Sequence, residues 1–300
     1  MEATSTREQD PGILTSGEAV RSNRILNAIS ILLPIAASIY AVVHWHRFAP
    51  TAVTVALFGL FFVAQTVGVG IGLHRYFTHA AFETGPVLRT ILAVLGSGSF
   101  QGPIDRWVAD HRRHHRYTDQ PLDPHSPHWI AGRRPGSRLL GLLHAHVTWM
   151  FWCPLSDPRR YARDILRDPI SAWCSRHYWL LSALSVLAPA LLGYLAGGRA
   201  EAVRGLLWAG FFRVALIHQI TWSINSIAHS FGRKPEGAQD ESRDITLFAF
   251  LIVGEGFHAF HHRHPSAAIN QPERLDFGGY LIKAMERAGL AWNLKRVPSP

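Results

Sequence analysis

The 300-residue chain carries 30 Lys and Arg against 21 Asp and Glu, a formal net charge of +9, and has a pI of about 10.1 and a mean hydropathy of +0.06. Its length suits one large domain or two small ones, and these averages alone describe a basic soluble protein with nucleic acid as the obvious partner. The order of the residues excludes that reading, because the apolar residues gather in four long runs, the arginines flank those runs, and no nucleic-acid recognition motif is present.

Residues 1–24 are polar, with Glu2, Arg7, Glu8, Asp10 and Arg21. No apolar stretch with a cleavage site opens the chain, so no removable signal peptide is expected, and the segment reads as a flexible cytosolic tail. Residues 25–43 and 51–73 then form uncharged runs of nineteen and twenty-three residues. Each matches the roughly 20 residues a helix needs to cross the hydrocarbon layer, and 25–73 is predicted as a first transmembrane hairpin. The segment 74–177 follows, with fourteen Arg and no Lys. Within it, 86–101 is apolar but too short to cross and is expected to lie near the interface. Residues 119–137 are rich in Pro, Gly and Asp and read as an irregular loop. Residues 138–151 look helical and amphipathic, with Trp149 and Trp152 suited to the headgroup level, and 158–176 adds a basic surface helix broken near Pro169.

Two further runs, 178–197 and 206–227, make a second hairpin within 178–229. Arg213 and His218 inside the last run are costly in lipid and should face protein or a wet cavity. The short connections hold only Arg47, Arg199 and Arg204, so the positive-inside rule places 74–177 and the 230–300 segment together in the cytoplasm. The predicted fold class is all-α: a single integral membrane domain of about four transmembrane helices under a cytoplasmic helical cap. Three Lys beside twenty-seven Arg suit a GC-rich bacterial genome, hence a bacterial cytoplasmic membrane. Cys153 and Cys174, both on the cytoplasmic side, read as inert packing residues and not as a disulfide.

Nine of the eighteen histidines fall in a pattern. His74-Arg-Tyr-Phe-Thr-His79 closes the second run, His111-Arg-Arg-His114-His115 follows, Asn225-Ser-Ile-Ala-His229 ends the fourth run, and His258-Ala-Phe-His261-His262 lies beyond it. In both HxxHH boxes the histidines stand at i, i+3 and i+4, on one side of a helix. His74 and His79, at i and i+5, do not share an α-helical face, so one is expected past the helix end. A lone histidine is usually a surface or satisfied core residue. At this His content, however, only about 0.06 copies of HxxHH are expected by chance, and two copies beside an HxxxxH point to metal.

Eight or nine imidazoles exceed one coordination sphere and suit two ions. Closed zinc sites take four ligands and commonly recruit Cys, which neither cysteine here can supply, but imidazole also serves zinc, copper and nickel, so residue types leave the metal open. Asp110 and Glu255, beside the second and third boxes, are expected to accept the free ring N–H of a ligand, and Asn225 to orient a bound water. A histidine-rich metal transporter is the rival from another class. It would place its ligands at the bilayer midplane, whereas these boxes cluster at span ends and in cytoplasmic segments.

The set HxxxxH, HxxHH, NxxxH, HxxHH resembles the membrane fatty-acyl desaturases, specifically the Δ9 branch that includes the stearoyl-CoA desaturases and bacterial acyl-lipid desaturases. The resemblance covers about residues 68–297 and includes GVGIGLHRYFTHAAFET, 110–117, Asp123-Pro-His125, TWSINSIAHSFG, GEGFHAFHH and LIKAMERAGLAWNLKRV. It implies two iron ions, Fe2+ in the reduced resting form, with O2 as co-substrate, inserting a cis double bond into a saturated acyl chain. By matching positions, one iron takes His74, His79, His111, His115 and His262, and the other takes His114, His229, His258 and His261, with Asn225 holding a water. A hydroxylase built on the same site is the alternative enzyme, since both reactions begin with the same hydrogen abstraction.

Two positions depart from the animal acyl-CoA branch. Where that branch uses Asn and Arg to bind CoA, this chain has Gly102 and Ala109, and QGPIDRWV is closer to relatives acting on acyl chains in glycerolipids. The expected partners are therefore an acyl-CoA or acyl-lipid substrate, the surrounding membrane lipid, and a separate electron donor, since no haem motif of a fused cytochrome b5 is present. A ferredoxin, or cytochrome b5 with its reductase, fits that role. Arg106, Arg112, Arg113 and Arg116 are the candidates for holding the substrate headgroup or docking the donor.

Overall fold

The computed structural model describes residues 10–270 and 275–297. Three helical stretches are long and apolar enough to cross a membrane: Glu18–Val43, Ala52–Thr78 and Tyr178–Ser226. The third has 49 residues and as a straight helix would be roughly 70 Å long, far more than one crossing. It is folded in two. The backbone leaves helical geometry at Gly197 and Gly198, the latter with φ of 73°, and the two arms then lie against each other. A Cβ at Gly193 would stand 2.6 Å from the Glu201 carbonyl oxygen, and one at Gly205 would stand 2.4 Å from that of Pro189. Glycine lets the two backbones approach, as small residues do between membrane helices. The runs 178–197 and 206–227 correspond to these two arms. At their turn, the Glu201 carboxylate accepts from the Thr51 and Thr54 hydroxyls, each at 2.5 Å, tying the second arm to the start of the second helix.

The surface of these helices is apolar, with Ile25, Leu32, Val43, Leu60, Leu187 and Leu195 all exposed. Such a face suits lipid, while polar groups turn inward. Arg213 is fully buried and donates to the carbonyls of Ala209 (2.6 Å) and Ser185 (3.0 Å) and to Gln65 Oε1, so it faces protein as expected. The short helix Pro86–Ser97 buries Leu92, Ala93 and Gly96 and exposes Val87, Ile91 and Val94. A core of Ile71, Leu73, Phe77, Leu92, Val108, Ile217 and Ile282 joins the membrane helices to the cap.

The N-terminal segment differs from the expected flexible tail. Residues 1–9 lie outside the described part, but 10–24 are held in place. Ile13–Leu14 pairs antiparallel with Leu155–Ser156, and buried Asp10 accepts from the hydroxyls of Tyr117 (2.8 Å) and Tyr161. The first membrane helix begins at Glu18, seven residues before the apolar run, because Val20 packs inward and extends it. The basic segment after residue 157 forms three short helices, Pro158–Tyr161, Arg163–Arg167 and Pro169–Arg176; Asp157 and Asp168 cap the first and third, each followed by proline. Of the two tryptophans expected at the headgroup level, only Trp152 is exposed. Trp149 turns inward, its ring 5.1 Å from that of His125, because the helix that carries it loosens to a π-helical winding over His144–Thr148. Cys153 and Cys174 are both free thiols.

Candidate metal centre

The glycines of Gly68-Val-Gly-Ile-Gly72 precede the first box, and from Gly68 to Thr78 the second membrane helix winds as a π-helix. The His79 N–H reaches the His74 carbonyl, five residues back, at 3.2 Å. His79 does stand just past the helix end, as expected, but the wider winding brings both imidazoles to one side, with ring centroids 4.9 Å apart. The second box lies on helix Ile104–Tyr117 and the third on the short helix His258–Arg263.

The third box is docked by Arg75, the second residue of the first box. Its guanidinium donates to Asp276 at 2.9 and 3.0 Å, to Glu255 at 3.1 Å, and to the carbonyls of Val253 and Ala268. The chain enters this region through Gly254, at φ of 95°, where a Cβ would stand 2.0 Å from the Asp276 carboxylate. Only glycine fits there.

The nine histidines form two groups, within each of which the ligand nitrogens lie no more than 4.8 Å apart. The first is His74, His79, His111, His115 and His261; the second is His114, His229, His258 and His262. The expected partition is therefore corrected at one pair, since His261 belongs with the first group and His262 with the second. These neighbours on one short helix point in directions about 100° apart, and the docking of that helix sets which group each one meets. His261 Nε2 lies 3.0 Å from His74 Nε2 and 2.9 Å from His115 Nε2, while His262 Nε2 lies 3.3 Å from His114 Nε2.

Carboxylates stand behind four of the rings. His114 Nδ1 donates to Asp123 (3.0 Å), His229 Nδ1 to Asp119 (2.9 Å) and His262 Nδ1 to Asp240 (3.0 Å), and Glu255 lies against His74 Nδ1. A carboxylate only accepts, so it keeps the proton on Nδ1 and leaves a lone pair on Nε2. Burial, followed by the neighbouring imidazoles, holds His111, His114, His115, His258, His261 and His262 well below the usual histidine range. These rings are neutral and their lone pairs are free to bind metal. Two lone pairs facing each other over 3.3 Å, as at His114 and His262, repel unless a cation lies between them, so the donor set fits a metal ion in each group.

His229 is the exception. Burial opposes its protonation, but Asp119 outweighs burial and raises it; in return the His229 charge and hydrogen bonds hold Asp119 well below the carboxylate range against its own burial. Burial and the charge of Asp119 push Asp123 up to about 7. His125, Asp123 and His114 also lie together, but Asp123 is already engaged with the His114 ring, so this trio is the outer layer of the second group.

Of the other residues singled out by sequence, Glu255 is placed as expected in kind, although on His74 of the first box and not on the third. Asp110 is not: its carboxylate accepts from the Ser156 N–H at 3.4 Å, touches no ligand histidine, and is pushed up by burial. Arg112 is spent on Thr78 O, Phe77 O, Tyr161 O and Asp164, and buried Arg113 on Leu122 O and Pro154 O. Both brace the cap and neither is available for docking. Arg116 is exposed. Arg106 lines the cavity described below, with a buried Nη1 that has no partner. Asp119 and Asp240 were not singled out, and Asp123 was quoted only within the resemblance, with no role assigned. The closely spaced Asp119 and Asp123, directly after the second box, were the available signal.

A cavity reaches both groups. It is lined by His74 and His111 of the first, His258 of the second, and by Asn225, Asp110 and Trp107. Along the first membrane helix it is lined by Val20, Asn23, Arg24, Asn27, Ser30 and Ile31, polar and apolar side chains together.

A helical membrane scaffold with two histidine groups beside one cavity defines a class of membrane metalloprotein. Residues 49–276 match the family model "Fatty acid desaturase". The chain is 41% identical over 233 residues, 76% of its length and 73% of the relative's, to a hex-5-enoyl-acyl-carrier-protein acetylenase of Moorena producens. It is 30% identical over 253 residues to an sn-1 stearoyl-lipid 9-desaturase of Anabaena variabilis, covering 83% of this chain and 86% of that one. It is also 34% identical over 256 residues to acyl-CoA desaturase 1 of Saccharomyces cerevisiae, covering 82% of this chain but only 47% of the yeast enzyme. The chain belongs to the fatty acid desaturase family, oxidoreductases that act on acyl chains with O2.

Proposed function

We propose that the protein binds two iron ions and inserts a cis double bond, at the Δ9 position, into a saturated acyl chain. The observation that carries this reading is the pair of converging nitrogen groups beside one cavity whose wall holds histidines of both groups. One ion is assigned to His74, His79, His111, His115 and His261, the other to His114, His229, His258 and His262. Reduced iron with O2 supplies an oxidant able to take hydrogen from an unactivated C–H bond, for which no side chain serves as base. The protein's part is to orient two neighbouring carbons and exclude water. Trp107, stacked on His111 with centroids 5.0 Å apart, walls the cavity, and Asn225 orients a water beside the second group. Electrons come from a separate donor at the arginine-rich face, where Arg116 is exposed. Both lie on the cytoplasmic side of a bacterial membrane that the chain crosses four times.

Membrane lipid is the proposed acyl carrier in preference to CoA. Gly102 and Ala109 offer no side chain to a CoA headgroup, and each lost charged hydrogen bond removes about 1.5–3 kcal/mol. The test is a reconstituted assay with a compatible reductase, offered labelled stearoyl-CoA and labelled phospholipid separately with acyl exchange blocked, and double bonds mapped by mass spectrometry. A Δ9 monoene formed in phospholipid is expected. Desaturation of the thioester alone would overturn the carrier, and a hydroxylated product would overturn the reaction.

A further inference from the structure

Between the helices Pro86–Ser97 and Ile104–Tyr117 the chain crosses the inner face of the bundle without helical bonding, and Phe100 adopts φ of 61°. Phe100, Gln101 and Gly102 all line the cavity. Carbonyls buried in a protein wall must find hydrogen-bond donors. Gly98 O accepts from Gln65 Nε2 and Ser185 Oγ, both at 2.6 Å, the same two residues that Arg213 holds. Phe100 O accepts from His218 Nε2 at 3.0 Å. The His218 ring also stacks on Trp222, centroids 4.6 Å apart and 18° between planes. The Trp222 indole N–H in turn donates to Gln101 Oε1 at 3.2 Å.

His218 thus holds a carbonyl in the cavity wall and the ring that fixes the next side chain along. It belongs to neither histidine group and does not itself line the cavity. A histidine inside a membrane helix is costly where leucine is not, and this one is retained in a fully buried position whose hydrogen bond is made to the wall.

We propose that His218 is a positioning residue for regiochemistry: by fixing Phe100 and Trp222 it sets which two carbons of the acyl chain lie beside the histidine groups. The inference rests on the desaturase reading. Its physical basis is sensitivity, because a misplacement of about 1 Å at a reacting centre is enough to change the outcome, and successive chain carbons are spaced on that scale.

The test compares His218→Leu, His218→Gln and Trp222→Phe in a host whose membrane lipids are analysed for double-bond position, with metal content measured on each purified variant. His218→Leu removes the donor, His218→Gln retains one, and Trp222→Phe cuts the link to Gln101 while also trimming a ring that lines the cavity. With metal content at the wild-type level, His218→Leu is expected to raise the share of off-position isomers by about threefold or more. His218→Gln should restore the wild-type ratio, and Trp222→Phe should shift it in the same direction as leucine. Unchanged isomer ratios in His218→Leu and Trp222→Phe overturn the proposal, as does loss of metal in His218→Leu. If His218→Leu does not accumulate, His218→Met, which likewise lacks a donor, decides by the same criterion. Failure of the underlying reading looks different, since the wild-type protein would then make no unsaturated product.

Discussion

Behind four of the nine ligand histidines stands a carboxylate that holds a proton on Nδ1 and so, in the neutral ring, leaves Nε2 as the metal donor. Asp240 is the most exposed of these partners, its side chain at 19% against 0% for Asp123 and 6% for Asp119. Asp240→Ala should therefore leave the fold intact while weakening the ion at His114, His229, His258 and His262, by about 10–100-fold as is usual for outer partners. Metal titration of the variant checks this, with the ion at the other group retained. At this scale the histidines were legible from spacing, because i, i+3 and i+4 fall on one helix face whatever the fold. Of the carboxylates only Glu255 was, since nothing local in 119–123 or 240 says which ring a loop will reach. The places of His261 and His262 also had to wait for the structure, because adjacent residues on one helix exchange groups with a modest rotation of that helix.

Among the elements, the long apolar helices were legible because the length of an apolar run is a direct measure of a crossing. The π-helical end of the second membrane helix was not. Its hydrophobic pattern is that of an ordinary helix, and only the Gly68, Gly70 and Gly72 series hints at looser winding. The same element carries Arg75, whose bonds to Asp276 and Glu255 dock the third box. Arg75→Ala would remove the cationic partner of both buried carboxylates, leaving Glu255 only the His74 ring and Asp276 only backbone N–H groups, a loss of about 3–5 kcal/mol for a broken buried pair. We expect a lowered thermal midpoint in detergent and loss of the ion that depends on His261. A variant that melts like wild type with full metal would show that the docking lies elsewhere.

For the molecule as a whole, the membrane helices and the cap are joined by one apolar core, and the histidines of both groups come from chain segments far apart in sequence. No single box completes either group: the first draws on three boxes, and the second on two boxes and His229. The site therefore forms only when the cap closes on the helix ends. That accounts for the composition that first suggested a soluble basic protein, since an arginine-rich cap offsets the lipid-facing helices in every average. The central claim is that the nine imidazoles hold two ions. The most direct test is metal analysis of the full chain purified after iron-replete expression, scaled to protein by amino-acid analysis. Two irons per chain are predicted; one ion per chain at saturation, or a site filled by zinc with iron excluded, would contradict the account.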